Sequence, residues 1–169
     1  MTQLFNYFDK CVEIVSSGKV ADVIYFDFAK AFDTVPHRRL LKKLEGYRIN
    51  GELFNWIKAF LSDREQVIHV NGEESDTSTV ISGIPQGSVL GPILFVLCIN
   101  DLQDAVNSEI YLYADDTKIF KAVTSMQDSL SLQSDIDAMI EWSRKWLLQF
   151  HPDKCHVLTL VEIHNIMHT

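Results

Sequence analysis

The sequence predicts an α+β fold, with helices packed on a mostly antiparallel sheet. Three observations carry this expectation. Apolar residues recur at helical spacing in several long segments; short β-branched and aromatic runs ("DVIYFDF", "EIYLYADDTKIF", "CHVLTL") lie between them; and two of the strand regions carry tight-turn signals of hairpins. The 169 residues are 47% hydrophobic and 22% charged, a globular composition without disorder or fibrous repeat. A chain of this length buries roughly 70% of its unfolded surface. With no internal repeat, linker or low-complexity stretch, one domain over residues 1–169 is expected.

The elements follow in order. Leu4, Phe5, Phe8, Val12 and Val15 share a helical face that stops at Gly18. "DVIYFDF" reads as a buried strand over Val23 to Phe28. Pro36 suits the first turn of a helix carrying Leu40, Leu41 and Leu44 up to Gly46, and Asp33 is placed to cap it. A further helix lies in "ELFNWIKAFL". "EQVIHV" and "STVIS" flank Asn71-Gly72, the strongest short-range hairpin signal, and predict two antiparallel strands. Ser88 can cap a buried helix running to about Leu102, where Gly91 and Pro92 are tolerated near its start. "EIYLYADDTKIF" predicts a hairpin with Asp115 and Asp116 at its turn. Ser125 to Leu148 reads as a helix with Leu132, Ile136, Met139, Ile140 and Trp146 inward, and "CHVLTL" as a last strand.

Composition excludes several classes. The longest apolar run, Val89 to Ile99, is broken by Gly91 and Pro92 and falls short of the roughly 20 residues that span a bilayer. The acids near the start do not fit a secretory leader. Cys11, Cys98 and Cys155 show neither metal-ligand nor CxxC spacing, so they read as reduced thiols packed as small apolar groups in an intracellular protein of cytoplasm or nucleus. A net charge of −8 opposes stand-alone nucleic-acid binding, because phosphate contacts need Lys and Arg. One local basic cluster, Arg38, Arg39, Lys42, Lys43 and Arg48, softens that balance or is simply a solvated helix face.

Asp27 stands where the first strand gives out, and Asp115 and Asp116 sit together in the later hairpin. Two readings are open. The aspartates are turn and cap residues, or the strands are sheet neighbours and three carboxylates converge as hard ligands for Mg²⁺ or Mn²⁺. "IPQGSVLG" is a Pro/Gly-bounded loop entering a helix. Its amides suit an anion, and Gly87 otherwise merely permits the turn.

"FDFAKAFDTVPH", "GIPQGSVLGPILFVLCINDL", "YADD" and "WLLQFHPDKC", in this order and at these separations, resemble the successive palm motifs of reverse transcriptases. The wording is closest to that of LINE-type, non-LTR retrotransposons of the jockey-like group. The motifs lie within residues 20–160, and residues 161–169 match none. The resemblance implies a polymerase palm. It makes Asp27 and Asp115 the principal metal ligands and Asp116 the third catalytic carboxylate, holding two Mg²⁺ or Mn²⁺ ions. It places the backbone of Phe28, Ala29, Lys30 and Ala31 along the triphosphate and Phe32 under the deoxyribose, where it excludes a ribose 2′-hydroxyl. Pro85, Gln86 and Gly87 match the loop supporting nucleotide and template, and Lys154 the lysine that protonates departing pyrophosphate. RNA template, DNA primer and deoxynucleoside triphosphates are the implied partners; a membrane is not. Asp33 and His37 belong to the same wording without a chemical task.

The resemblance also implies a fingers region before the first helix and a thumb after the last strand. The chain therefore reads as a palm-only fragment, expected alone to extend primers weakly or not at all. The alternatives are a non-catalytic remnant that binds a protein partner through exposed apolar edges, and another metal-dependent phosphotransfer enzyme such as a nucleotide cyclase, against which "PQG" and Phe32 speak.

Overall fold

The computed structural model describes residues 2–161. The chain forms two compact units. One contains the segment up to Ala29, Asp101–Lys145 and the segment from Gln149 on; the other contains Lys30–Asn100 and Trp146–Leu148.

The first unit is built on a four-stranded antiparallel sheet. Its strands are β1 (Ala21–Phe26), β6 (Glu109–Tyr113), β7 (Asp116–Ala122) and β8 (His156–Leu160), in the order β6-β7-β1-β8. β1 is central and loses both faces to the core, which is why "ADVIYF" is almost continuously apolar. Register pairs Val23 with Phe120 and Phe26 with Thr117. Helix α1 (Thr2–Ser16) delivers Tyr7 to a cluster with Ala21, Val23 and Phe120. Four of the five residues of its predicted apolar face, Leu4, Phe5, Phe8 and Val12, are more than half exposed.

Helix α6 (Met126–Trp146) buries Leu132, Met139 and Trp142. Trp142 takes the place expected of Ile140, which is 37% exposed. The reason is a polar anchor: Trp142 Nε1 donates to Asp101 Oδ1 at 3.1 Å, while its ring centroid lies 6.3 Å from that of Phe28. Asp135, fully buried on the same helix, accepts the Asn107 and Ser108 backbone N–H groups at 2.9 and 3.0 Å and also the Ser108 hydroxyl. The loop entering β6 is thereby fixed.

The second unit holds α2 (Ala31–Thr34), α3 (His37–Gly46), α4 (Gly51–Leu61) and α5 (Leu90–Ile99). Leu40 and Leu44 of α3 and Leu94 and Phe95 of α5 are fully buried. Lys43, 5% exposed, donates to the Cys98 carbonyl and lies over the Trp146 ring at 3.8 Å from its centroid, so its charge stays partnered inside. The Asn71-Gly72 turn forms, but the expected hairpin is split. β3 (His69–Val70) pairs with β4 (Glu73–Glu74), and β2 (Glu65–Gln66) with β5 (Ser78–Thr79). The interruption follows from a side chain entering the ladder, since Ser75 Oγ accepts the Ile68 N–H at 3.0 Å.

Other expectations are corrected at element ends. The first strand ends at Phe26 rather than Phe28, because Phe28 turns to a bridge with Phe150 and Ala29 N donates to Gln149 O at 2.8 Å. No side chain caps α3, whose N-cap is Pro36; the Asp33 carboxylate is engaged elsewhere. The hairpin turn is Ala114-Asp115, with Asp116 already in β7 opposite Tyr113. None of the three cysteines is in a disulfide, and of them only Cys98 is buried. No helix among the described residues is long and apolar enough to cross a membrane. Most of the unmatched stretch 161–169 lies outside the described residues.

Candidate active site

In the first unit the end of β1 and the start of β7 meet. Pairing of Phe26 with Thr117 carries Asp27 and Asp116 to the same end of the strand pair. The "HPDK" turn is tied there by backbone: His151 N donates to Asp27 O at 2.7 Å, and Lys154 N to His151 O at 3.0 Å. This brings Lys154 Nζ to 2.9 Å from Asp27 Oδ2. A cleft of about 220 Å³ is lined by Asp27, Asp116, Thr117, Lys118 and Lys154, with the Tyr25–His156 pair. That pair stacks with centroids 4.6 Å apart, and His156 Nδ1 donates to the Lys154 carbonyl at 3.1 Å.

Asp115 is half-buried in the turn before β7 and is not among the residues lining this cleft. The turn brings it close to Asp116 in sequence through a positive φ of 53° at Ala114. A β-carbon disfavours that conformation by roughly 1–2 kcal/mol, so the sheet on either side must hold it.

The donor set in the cleft is oxygen. Among the described residues Asp27 Oδ2 and Thr117 Oγ1 are shut from solvent and accept no hydrogen bond, and Asp27 Oδ2 is ion-paired with the Lys154 ammonium. Buried oxygens left in this way suit a hard divalent cation. Among the described residues no group of three or more His, Cys, Asp or Glu is gathered to hold an ion. The fit therefore rests on Asp27 and Asp116, with Asp115 adjoining in the turn.

The second unit contains Lys30, Ala31, Phe32, Pro85, Gln86 and Gly87, while Phe28 and Ala29 belong to the first. Phe32, Pro85, Gln86 and Gly87 line one cleft of about 430 Å³ together with Ser88 and Val89. Phe32 is held by stacking on Phe95, with centroids 4.8 Å apart and planes at 30°. Ser88 Oγ donates to Pro85 O at 2.7 Å and accepts the Gly91 N–H at 2.9 Å, which shapes the loop as it enters α5. Lys30 has a positive φ of 50°, and Ala31 is buried. Phe28, in the first unit, is a core side chain stacked on Phe150.

Sequence reasoning missed the partners of Asp33 and His37. Gln86 Nε2 donates to Asp33 Oδ1 at 2.8 Å, and His37 Nε2 donates to Gly83 O at 2.7 Å. Both bonds cross more than forty residues, so no local spacing could have signalled them. Lys118 was likewise missed, because alternation along β7 marks it only as a strand residue.

Residues 5–166 match the family described as reverse transcriptase (RNA-dependent DNA polymerase). The chain is 30% identical to the RNA-directed DNA polymerase from mobile element jockey of Drosophila melanogaster and 31% identical to that of Drosophila funebris, over 93% of its length in each case. It spans 18% of the length of each of these relatives. Among solved structures, telomerase from Candida tropicalis in complex with a fragment of telomeric RNA shares the fold, with a TM-score of 0.69 at 11% identity over 94% of this chain and 29% of that one. The chain therefore belongs to the reverse transcriptase family, and its mixed helical and antiparallel sheet architecture is that of a polymerase palm.

Proposed function

We propose that the chain is the palm of an RNA-directed DNA polymerase of a non-LTR retrotransposon, adding deoxynucleotides to a DNA primer along an RNA template. The observation that carries the reading is the cleft shared by Asp27, Asp116 and Lys154, with Asp27 Oδ2 buried and accepting no hydrogen bond. Asp27 and Asp116, with Asp115 adjoining them in the turn, would hold the divalent ions, two Mg²⁺ or Mn²⁺, which would supply Lewis-acid stabilisation of developing negative charge. The primer 3′-hydroxyl loses its proton to water and its oxygen bonds to the α-phosphorus in line as the bond to pyrophosphate breaks. Lys154 Nζ gives its proton to the departing pyrophosphate. Phe32, braced by Phe95, packs under the sugar and leaves no room for a 2′-hydroxyl. The loop Pro85-Gln86-Gly87 supports nucleotide and template, and the backbone of Phe28, Ala29, Lys30 and Ala31 lies beside the triphosphate. Catalysis here is mostly positioning and electrostatics.

Primer extension tests this. The chain is joined to the flanking segments of the Drosophila melanogaster jockey relative and given an RNA template, a DNA primer, deoxynucleotides and Mg²⁺ or Mn²⁺. Metal-dependent extension is expected, with Asp27→Asn losing at least about a hundredfold of the rate. Extension unaffected by Asp27→Asn overturns the reading.

A further inference from the structure

The loop Pro85-Gln86-Gly87 is anchored from the α2–α3 segment by contacts among which Asp33 and Gly83 recur. Ile84 N donates to Phe32 O at 2.7 Å and Gly83 N to Val35 O at 2.8 Å, while Ser82 Oγ donates to Asp33 O at 3.2 Å. Gly83, at φ +90°, sits so tightly against Asp33 that a β-carbon there would lie 2.7 Å from the Asp33 carbonyl oxygen. His37 Nε2 closes the base of the loop on Gly83 O, and Asp33 Oδ1 takes the side-chain amide of Gln86.

The Asp33–Gln86 bond is solvent-exposed, so its net contribution to stability is small. Orientation is the larger consequence. A carboxylate accepts only, so it selects the N–H₂ end of the Gln86 amide and turns the Oε1 carbonyl away by repulsion. Gln86, which lines the Phe32 cleft, is thereby left with one amide orientation, its Nε2 on Asp33 and its Oε1 turned away from it.

We propose that Asp33 is a positioning residue of this site, acting through the Gln86 side chain, and that His37 supports it by fixing the Gly83 carbonyl. What the loop binds rests on the polymerase reading above; the clamp itself does not.

The test is a double-mutant cycle on Asp33→Ala and Gln86→Ala with two readouts. Amide exchange across Gly83–Ser88 is measured on the chain itself, and KM and kcat for deoxynucleotide on the chain joined to jockey flanking segments. Each single variant is expected to speed loop exchange and raise KM about tenfold with kcat little changed, and the double variant to add nothing beyond Gln86→Ala. Asp33→Asn keeps a partner for the Gln86 amide but can also donate to its Oε1, so it is expected to restore parent-like loop exchange while leaving KM raised, because the amide is no longer held in one orientation. Multiplying effects in the double variant, or parent-like exchange and KM in Asp33→Ala, overturn the proposal. Should Asp33→Ala also expose the buried Leu40 and Leu44 amides, the comparison of Asp33→Asn with Gln86→Ala decides, since Gln86 is exposed and its removal leaves the core intact. A parent that incorporates no nucleotide overturns the polymerase reading, and the exchange cycle then judges the clamp alone.

Discussion

Lys154 Nζ lies 2.9 Å from Asp27 Oδ2, an oxygen that is otherwise unbonded and closed to solvent. The lysine is the local countercharge of the carboxylate, and it stands where a divalent ion would compete for the same oxygen. Lys154→Met is therefore expected to lower metal-free stability by about 1 kcal/mol, because an exposed ammonium contributes little but its loss strands a buried charge. The same variant is expected to bind Mn²⁺ about tenfold more tightly, the competing positive charge being gone. Thermal melts with and without Mn²⁺ at fixed ionic strength check both; weaker Mn²⁺ stabilisation of Lys154→Met than of the parent would contradict the shared-oxygen geometry.

Acid sensitivity is expected to centre on Asp135 and Asp128. Burial pushes the Asp135 carboxyl up, but the Asn107 and Ser108 N–H groups, the Ser108 hydroxyl and the Lys121 charge together hold it below its ordinary value. The Ser125 hydroxyl and the Thr124 amide and hydroxyl lower Asp128 to about 2. A depressed folded pKa contributes stability that is complete above the unfolded value of about 4 and is lost as pH falls through the folded value. Urea midpoints between about pH 6 and 2 should fall steeply below pH 4 in the parent and less steeply in Asp135→Asn. Parallel curves would remove Asp135 from the acid transition.

Two glycines separate by their surroundings. Gly83→Ala must place a β-carbon against the Asp33 carbonyl at a φ of +90°, and is expected to cost about 2–4 kcal/mol. Gly46, at the end of α3, has nothing within 4 Å of the point where a β-carbon would stand, so Gly46→Ala is expected to be neutral or to stabilise by up to about 1 kcal/mol. Denaturant unfolding of the two variants measures the contrast, and equal effects would refute the close approach at Gly83.

Phe32→Ala removes the ring stacked on Phe95. In the chain joined to jockey flanking segments it is expected to relax discrimination against ribonucleotides and to raise KM for deoxynucleotides. Competition between ribo- and deoxynucleotides during primer extension measures it; unchanged ribonucleotide use would return Phe32 to a purely structural role.

Local chemistry carried much of this protein in its sequence. The apolar spacing of Leu40 and Leu44 announces α3, and Asn71-Gly72 announces a turn, because each depends on residues a few positions apart. The four motifs in order were legible in the same way and led to the family. Contacts across long separations were not. Asp33 reads as a cap from its neighbours, yet its carboxylate is taken by Gln86, fifty-three residues on. Ile140 and Trp142 are both apolar and both on α6; the Asp101 carboxylate turns Trp142 inward while Ile140 stays 37% exposed. Asp115 and Asp116 are adjacent in sequence, but a hairpin turn at Ala114 and the pairing of Phe26 with Thr117 place only Asp116 in the cleft with Asp27. Residue types and short spacings set which elements form and which chemistry is available, whereas register and side-chain pairing between distant segments, where packing outweighs local preference by several kcal/mol, select the atoms that meet.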